Sequence, residues 1–242
     1  MKYMGSKNRI SKHLLPIMLA ECGKHGITKW VEPFVGGANM IDKVPDTFER
    51  IGYDLNPHTI HALIDIRDNA EHLPDVISEE EYRSFYGKPA EHLTSLVRFG
   101  ASFGGRFEEG YARGRSTEGT PRNYWAETKR NALKQSPKIQ NVQFICDSYE
   151  NLDFENCLIY CDPPYQNTKW YKKNCVPVMD YDRLFEWCRE QAKKNIVFVS
   201  EYNAPDDFEC VWQGEVKTNF ASQRKSATHN AIEKLFLYRT IK

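Results

Sequence analysis

Leu158-Ile159-Tyr160-Cys161-Asp162-Pro163-Pro164-Tyr165 is the stretch on which the reading turns. Four consecutive apolar residues suit a strand buried on both faces, as in a parallel sheet. Two prolines follow an acidic residue at its end. They remove two backbone donors and stiffen the turn, while their carbonyls remain acceptors. A carboxylate beside a proline carbonyl can accept both hydrogens of an exocyclic amine, and Tyr165 can lie flat on the ring that bears it. X-Pro-Pro is also ordinary loop chemistry, so the surrounding chain has to decide.

Working outward, other short apolar runs finish the same way. Lys29-Trp30-Val31 ends at Glu32, Arg50-Ile51-Gly52-Tyr53 at Asp54, and Val142 to Cys146 at Asp147. A further run, Ile196 to Val199, ends at Ser200 and Glu201. Ile10, Leu14, Ile17 and Met18 share a helical face that contains Pro16, and Asp180 can cap a helix carrying Leu184, Trp187 and Cys188. Val211 to Val216 and Leu235 to Tyr238 suit a terminal antiparallel pair. Strands alternating with helices predict an α/β fold, and in open α/β sheets ligands bind at the carboxyl ends of the strands. Four carboxylates at one edge suit a ligand with hydroxyls, amines and positive charge. Each acid taken singly is equally a loop or cap residue.

Composition narrows the class. The 242 residues hold 33 Lys plus Arg against 33 Asp plus Glu, and 40% are hydrophobic. That supports a packed core and argues against disorder. No apolar run is long enough to cross a bilayer, and Met1 to Arg9 lacks a secretory apolar region. Seven cysteines, an odd number and without C-x-x-C, read as reduced, buried thiols in a cytoplasmic protein, and no metal site is expected.

Neutrality is uneven along the chain. Between 98 and 138 nine basic residues face four acidic ones, so the remainder is net acidic. The segment 72–136 also breaks the alternation, mixing Gly100, Gly104, Gly105, Gly110, Gly114 and Gly119 with Phe99, Phe103, Phe107 and Tyr111. Cations interleaved with glycine and aromatics suit phosphate contact with stacking or wedging; a solvated face has the same composition.

Two weaker signals precede it. Val31-Glu32-Pro33-Phe34-Val35-Gly36-Gly37 runs from a strand into a glycine turn that is neither the dinucleotide fingerprint nor the P-loop. The glycines would let backbone approach a ligand closely. Asp54, 18 residues past Gly36, is placed to accept ribose hydroxyls. Lys2-Tyr3-Met4-Gly5-Ser6-Lys7 says little alone.

In order, K-Y-M-G-S-K, V-E-P-F-V-G-G, Y-D-L-N-P, a long insertion and D-P-P-Y resemble the Dam-type (D12) class of DNA adenine-N6 methyltransferases, which has phage and prophage members. The resemblance continues through Phe144 to Tyr149 and Glu233-Lys234-Leu235. It implies a Rossmann-like S-adenosylmethionine-dependent sheet, formed by 1–71 and 137–242, with a largely helical target-recognition insertion at 72–136. It implies an S-adenosyl-L-methionine site at Tyr3, Lys7, Glu32, Phe34, Gly36, Gly37, Asp54, Asp147 and Asp162, and a catalytic loop of Asp162, Pro163, Pro164 and Tyr165. Candidate contacts to double-stranded DNA are Arg98, Arg106, Arg113, Arg122, Lys129, Lys217, Arg224 and Lys225. The adenine would be flipped out of the duplex, with Tyr165 as its stacking partner. Two departures stand out: Gly5-Ser6-Lys7 where G-G-K is frequent, and Ser200-Glu201-Tyr202-Asn203 in place of an S-N-x-D-like stretch. Cytosine-N4 methylation and a catalytically silent DNA binder are the competing readings. Recognition sequence, oligomeric state, host or phage origin, and a cognate restriction endonuclease are left open.

Overall fold

A computed structural model describes residues 1–115, 118–165, 179–218 and 229–239. Seven strands form one sheet: β1 (Lys29–Glu32), β2 (Glu49–Asp54), β3 (Val142–Cys146), β4 (Leu158–Cys161), β5 (Ile196–Glu201), β6 (Phe208–Thr218) and β7 (His229–Tyr238). Their spatial order is β3-β2-β1-β4-β5-β7-β6. The first five are parallel, and β7 is antiparallel to both β5 and β6. This is an open, mostly parallel Rossmann-like α/β sheet, as expected. The chain moves outward from β1 to β3 and then returns to place β4 on the other side of β1. The β1/β4 junction is therefore the topological switch point, where a crevice opens beyond the strand ends.

Strand alternation builds two cores. Trp30, Leu158, Tyr160 and Phe198 face one side, and Val31, Ile159, Cys161, Val197 and Val199 the other. The first side is covered by α1 (Ser11–His25), α2 (Pro57–Asn69), α4 (Thr94–Gly100) and α5 (Tyr124–Gln135). The second is covered by α6 (Tyr181–Gln191), through Leu184, Phe185 and Cys188, with Tyr149, Phe154 and Phe208. Helix starts follow local chemistry: the Asn56 side chain accepts from His58 N–H with Pro57 in the first turn, and Asp180 accepts from Arg183 N–H as its position predicts. Pro16 lies inside α1, which runs on to a left-handed Gly26.

Three expectations change. The terminal strands are longer than their apolar runs, because antiparallel ladder bonds continue through polar residues. Residues 72–136 are helical at α3 (Glu79–Ser84), α4 and α5, but irregular from 106 to 115 and from 118 to 123. They also have no core of their own: Tyr82, Leu96, Val97, Phe99, Trp125 and Ala132 join the core that contains Leu14 and Leu63. Finally, Cys22, Cys157, Cys161 and Cys188 are buried, whereas Cys146 and Cys210 are exposed. Cys175 lies outside the described residues. Among the described residues no helix is long and apolar enough to cross a membrane.

Candidate active site

The four strand-end carboxylates stand at one edge of the sheet. Glu32 and Asp54 are the last residues of β1 and β2, while Asp147 and Asp162 follow β3 and β4 directly. Glu32 and Asp162 thus flank the switch point.

The Asp162 corner is built by contacts from three directions. Lys7 opens a single 3-10 turn, Lys7–Arg9, whose Ser6 cap accepts from Asn8 N–H. Ser6 has φ of −51°, so serine fits where the resemblance often has glycine. The Lys7 ammonium is buried, 2.9 Å from Asp162 Oδ1 and 3.6 Å from Glu233 Oε2. It also lies 4.3 Å from the centre of the Tyr165 ring. The contact to Asp162 is close in charge but off the line of a hydrogen bond, and Oδ1, shielded from solvent, has no aligned donor. The Tyr165 hydroxyl donates to Glu233 Oε2 at 2.6 Å, and its ring meets Tyr202 at 78° with centres 4.6 Å apart. Pro164 carbonyl accepts from the Tyr181 hydroxyl at the head of α6. Tyr165 is 8% exposed, so the flat stacking face expected of it is covered in this conformation by Lys7 and Tyr202.

Burial sets the charges. It pushes Asp162 up to about 6, Lys7 opposing and Glu233 adding to the rise. Burial likewise holds Glu32 well above the usual carboxyl range, against the hydrogen bond it accepts from Trp30 Nε1 at 2.9 Å. For Lys7 burial works against the charge, but Asp162 and then Glu233 outweigh it and raise the ammonium above its ordinary value.

The neighbouring half is a loop fixed to its strands. Gly36 has φ of +47°, and its N–H donates to Asp54 Oδ2 at 3.1 Å; Asp54 Oδ1 accepts from Asn56 N–H at 2.9 Å. Burial carries Asp54 up to about 6 despite both donors. A carboxylate has about four acceptor directions, so two remain for hydroxyls. The glycines also serve packing. A Cβ on Gly36 would come 3.0 Å from the Tyr3 ring, and one on Gly37 would come 2.7 Å from Tyr3 Cβ. They make room for Tyr3 of the opening motif, itself one of the expected donor-site residues. Gln135, at the end of α5, donates to the Gly37 and Ala38 carbonyls, so the inserted segment braces this loop. Phe34 packs on Tyr149 at 5.4 Å, and Asp147 accepts from Ser148 N–H and Asn151 Nδ2. Leu55, next to Asp54 in the chain, and Ile145, paired with Tyr53 on β2, are 41% and 38% exposed. The sequence did not single out these two, and it named Glu233 and Tyr202 without a role.

The proposed DNA contacts divide. Arg98 is buried, pairs with Glu108 at 2.6 Å, stacks on Phe107 and donates to the Lys88 carbonyl; it is an internal brace rather than a surface cation. Lys129 bonds the Leu73 carbonyl and Asp75, Arg122 forks onto Glu127, and Arg113 pairs with Glu79. Arg106 is half-buried beside Gly104 and Gly105. Of Lys217 only the strand backbone is described, and Arg224 and Lys225 lie outside the described residues.

Residues 112–230 match the D12 class N6 adenine-specific DNA methyltransferases. The match spans β3, β4 and the Asp162-Pro163-Pro164-Tyr165 corner; Lys7, Glu32, Asp54 and Glu233 fall outside it. The type II methyltransferase M.FokI of Planomicrobium okeanokoites is 23% identical over 212 residues. The alignment covers 77% of this chain and 32% of that one, so the chain spans about a third of the relative's length. Among solved structures, the rRNA methyltransferase aviRa of Streptomyces viridochromogenes aligns over 98% of this chain and 86% of its own, with TM-score 0.46 and 11% identity. SMU.472, a putative methyltransferase complexed with SAH, aligns over 89% and 48% with TM-score 0.35 and 9% identity.

Proposed function

We propose that this D12-class chain transfers a methyl group from S-adenosylmethionine to the N6 amine of adenine in double-stranded DNA, at a specific site. The observation that carries this is Asp162 Oδ1: a buried acceptor, lacking an aligned donor, on a turn stiffened by two prolines. It suits an N–H donor brought in from outside.

The edge also fits the methyl donor. Glu32 and Asp162 suit a cationic ligand, Asp54 retains acceptor directions for ribose hydroxyls, and Leu55 with Ile145 offers an apolar face to a planar base. S-adenosylmethionine, when bound, supplies an electrophilic methyl group. Asp162 and the Pro163 carbonyl accept the two amine hydrogens. This favours a pyramidal nitrogen with its lone pair available, and stabilises positive charge as it develops there. Holding the amine in line with the donor supplies the rest by proximity. No covalent intermediate is needed, so the cysteines carry no role.

Reaching N6 within a duplex requires the adenine to leave the stack at a cost of a few kcal/mol. Since the Tyr165 ring is covered, stacking there requires Lys7 or Tyr202 to give way. Phosphate contacts from the basic segment, Arg106 first, offset the cost. The relative's type II name extends the proposal to a modification enzyme, with a cognate endonuclease as the partner to look for.

The test is transfer from methyl-labelled S-adenosylmethionine to DNA, followed by digestion to nucleosides. Label in N6-methyladenine is the expected result. Label in N4-methylcytosine, or none, overturns the assignment. Asp162→Ala should abolish transfer while leaving DNA affinity largely intact.

A further inference from the structure

We infer that Glu233 is a positioning residue of the amine corner, anchoring the Tyr165 ring through its hydroxyl and sharing Lys7 with Asp162. The inference rests on the proposed amine chemistry only for its effect on turnover; the geometry stands apart from it.

Topology explains how a residue so late in the chain arrives there. Strand β7 runs antiparallel to β5, pairing Lys234 with Glu201 and Leu235 with Ser200. Its beginning therefore lies at the edge where the parallel strands end. Glu233 is one residue before that pair, and its Oε2 serves two groups at once: the Tyr165 hydroxyl at 2.6 Å and the Lys7 ammonium at 3.6 Å. Tyr165 follows two prolines and cannot draw on their N–H groups to hold its turn, so the hydroxyl bond to Glu233 supplies a second fixed point for the ring.

Electrostatically the carboxylate has two opposed effects. It repels charge on Asp162, and it draws on the ammonium that would otherwise serve Asp162 alone. Both keep Asp162 less firmly ionised than a simple Lys–Asp pair would. The groups bearing on Asp162 are Lys7 from the opening motif, Glu32 on β1, Tyr160 and Cys161 on β4, Tyr165 beyond it and Glu233 on β7. Only Lys7 carries positive charge among them. Loss of the Glu233 charge must therefore move Asp162 toward lower pH, whereas general damage to the corner would have no preferred direction.

Glu233→Gln separates the two functions, since its amide oxygen still accepts from Tyr165 but its charge is gone. Carboxyl titration of the ligand-free chain, followed by 13C NMR with labelled aspartate, should show the Asp162 midpoint fall by about one pH unit. The acid limb of kcat should fall with it, with KM little changed. Glu233→Ala removes the acceptor as well and should lower kcat roughly tenfold. Combined with Tyr165→Phe, it should cost little more than either change alone, because both break one bond. An Asp162 midpoint that stays put, or additive losses in the double variant, overturns the inference. A shifted midpoint in a chain that methylates nothing would leave the Glu233 assignment standing and sink the methyltransferase reading instead.

Discussion

Replacing Lys7 with methionine removes one charge while keeping a chain of similar length over the Tyr165 ring. Asp162 titrates at about 6 with the ammonium 2.9 Å away. At pH 7 that leaves roughly ten ionised carboxylates for each neutral one. An opposite charge at such range lowers a carboxyl by about one to three units, so its removal carries Asp162 to roughly 7–9. Taking two units as the middle, the ratio of ionised to neutral carboxyl falls about a hundredfold, from roughly ten to one to roughly one to ten at pH 7. Methyl transfer per encounter should therefore fall about tenfold at pH 7 and recover as pH approaches about 9. The assay is kcat/KM for adenine methylation at saturating donor between pH 6 and 9, wild type beside Lys7→Met, with circular dichroism to confirm folding. An acid limb at the wild-type pH would refute the reasoning, because Lys7 would then not set the charge of Asp162. So would an equal loss at every pH, which would place the role of Lys7 in contact with substrate.

Other outcomes follow from the same geometry. Asp54 and Asp162 both titrate near 6 in the folded chain, above their unfolded value of 3.8, so the stability they contribute is full below about 4 and lost as pH rises through about 6; the ligand-free protein should melt at higher temperature at pH 5 than at pH 8. Below about 4 the exposed acids held down by arginines, among them Asp68 and Asp207, lose their pairs and reverse the trend. Gly37→Ala brings a methyl group 2.6 Å from Asn39 Nδ2 and 2.7 Å from Tyr3 Cβ, and should cost about 1–3 kcal/mol in urea unfolding with weaker S-adenosylmethionine binding by calorimetry. Arg98→Met strands Glu108 and should destabilise by about 3–5 kcal/mol without altering the salt dependence of DNA binding. Arg106→Ala should reverse that pattern, leaving the melting temperature in place and reducing the slope of log K against log salt by about one.

Much of the sheet is legible in short apolar runs, because parallel strands buried on both faces need unbroken hydrophobic residues. Trp30-Val31, Leu158 to Cys161 and Ile196 to Val199 all meet that need, and each falls in its expected strand. The acids that end these runs are legible because each breaks an apolar run, although Glu32 and Glu201 are themselves buried. What composition hides is burial itself. Arg98 counts as a cation in the basic segment, yet it sits in Thr94-Ser95-Leu96-Val97-Arg98-Phe99-Gly100, a helix buried at every position. Its apolar neighbours were the available signal. The glycines of the 36–37 turn read as room for a ligand, and only the fold shows that Tyr3 of the distant opening motif also packs against them. Glu233 is invisible to a rule about strand ends, because an antiparallel strand brings its beginning, not its end, to the functional edge.

That reversal also explains the charge of the site. Glu32, Asp162 and Glu233 converge on the switch-point edge from β1, β4 and β7, while Lys7 is the cation close to two of them. Burial makes ionised carboxyl groups costly unless a positive partner accompanies them. A single ammonium shared at 2.9 and 3.6 Å does not balance this set. Among the described residues the edge is thus short of positive charge and of N–H donors in the same place, and the proposed pairing of a cationic methyl donor with an aromatic amine would meet both deficits. A neutral ligand with only acceptor groups would meet neither. The neutral overall charge of the chain gives no hint of this.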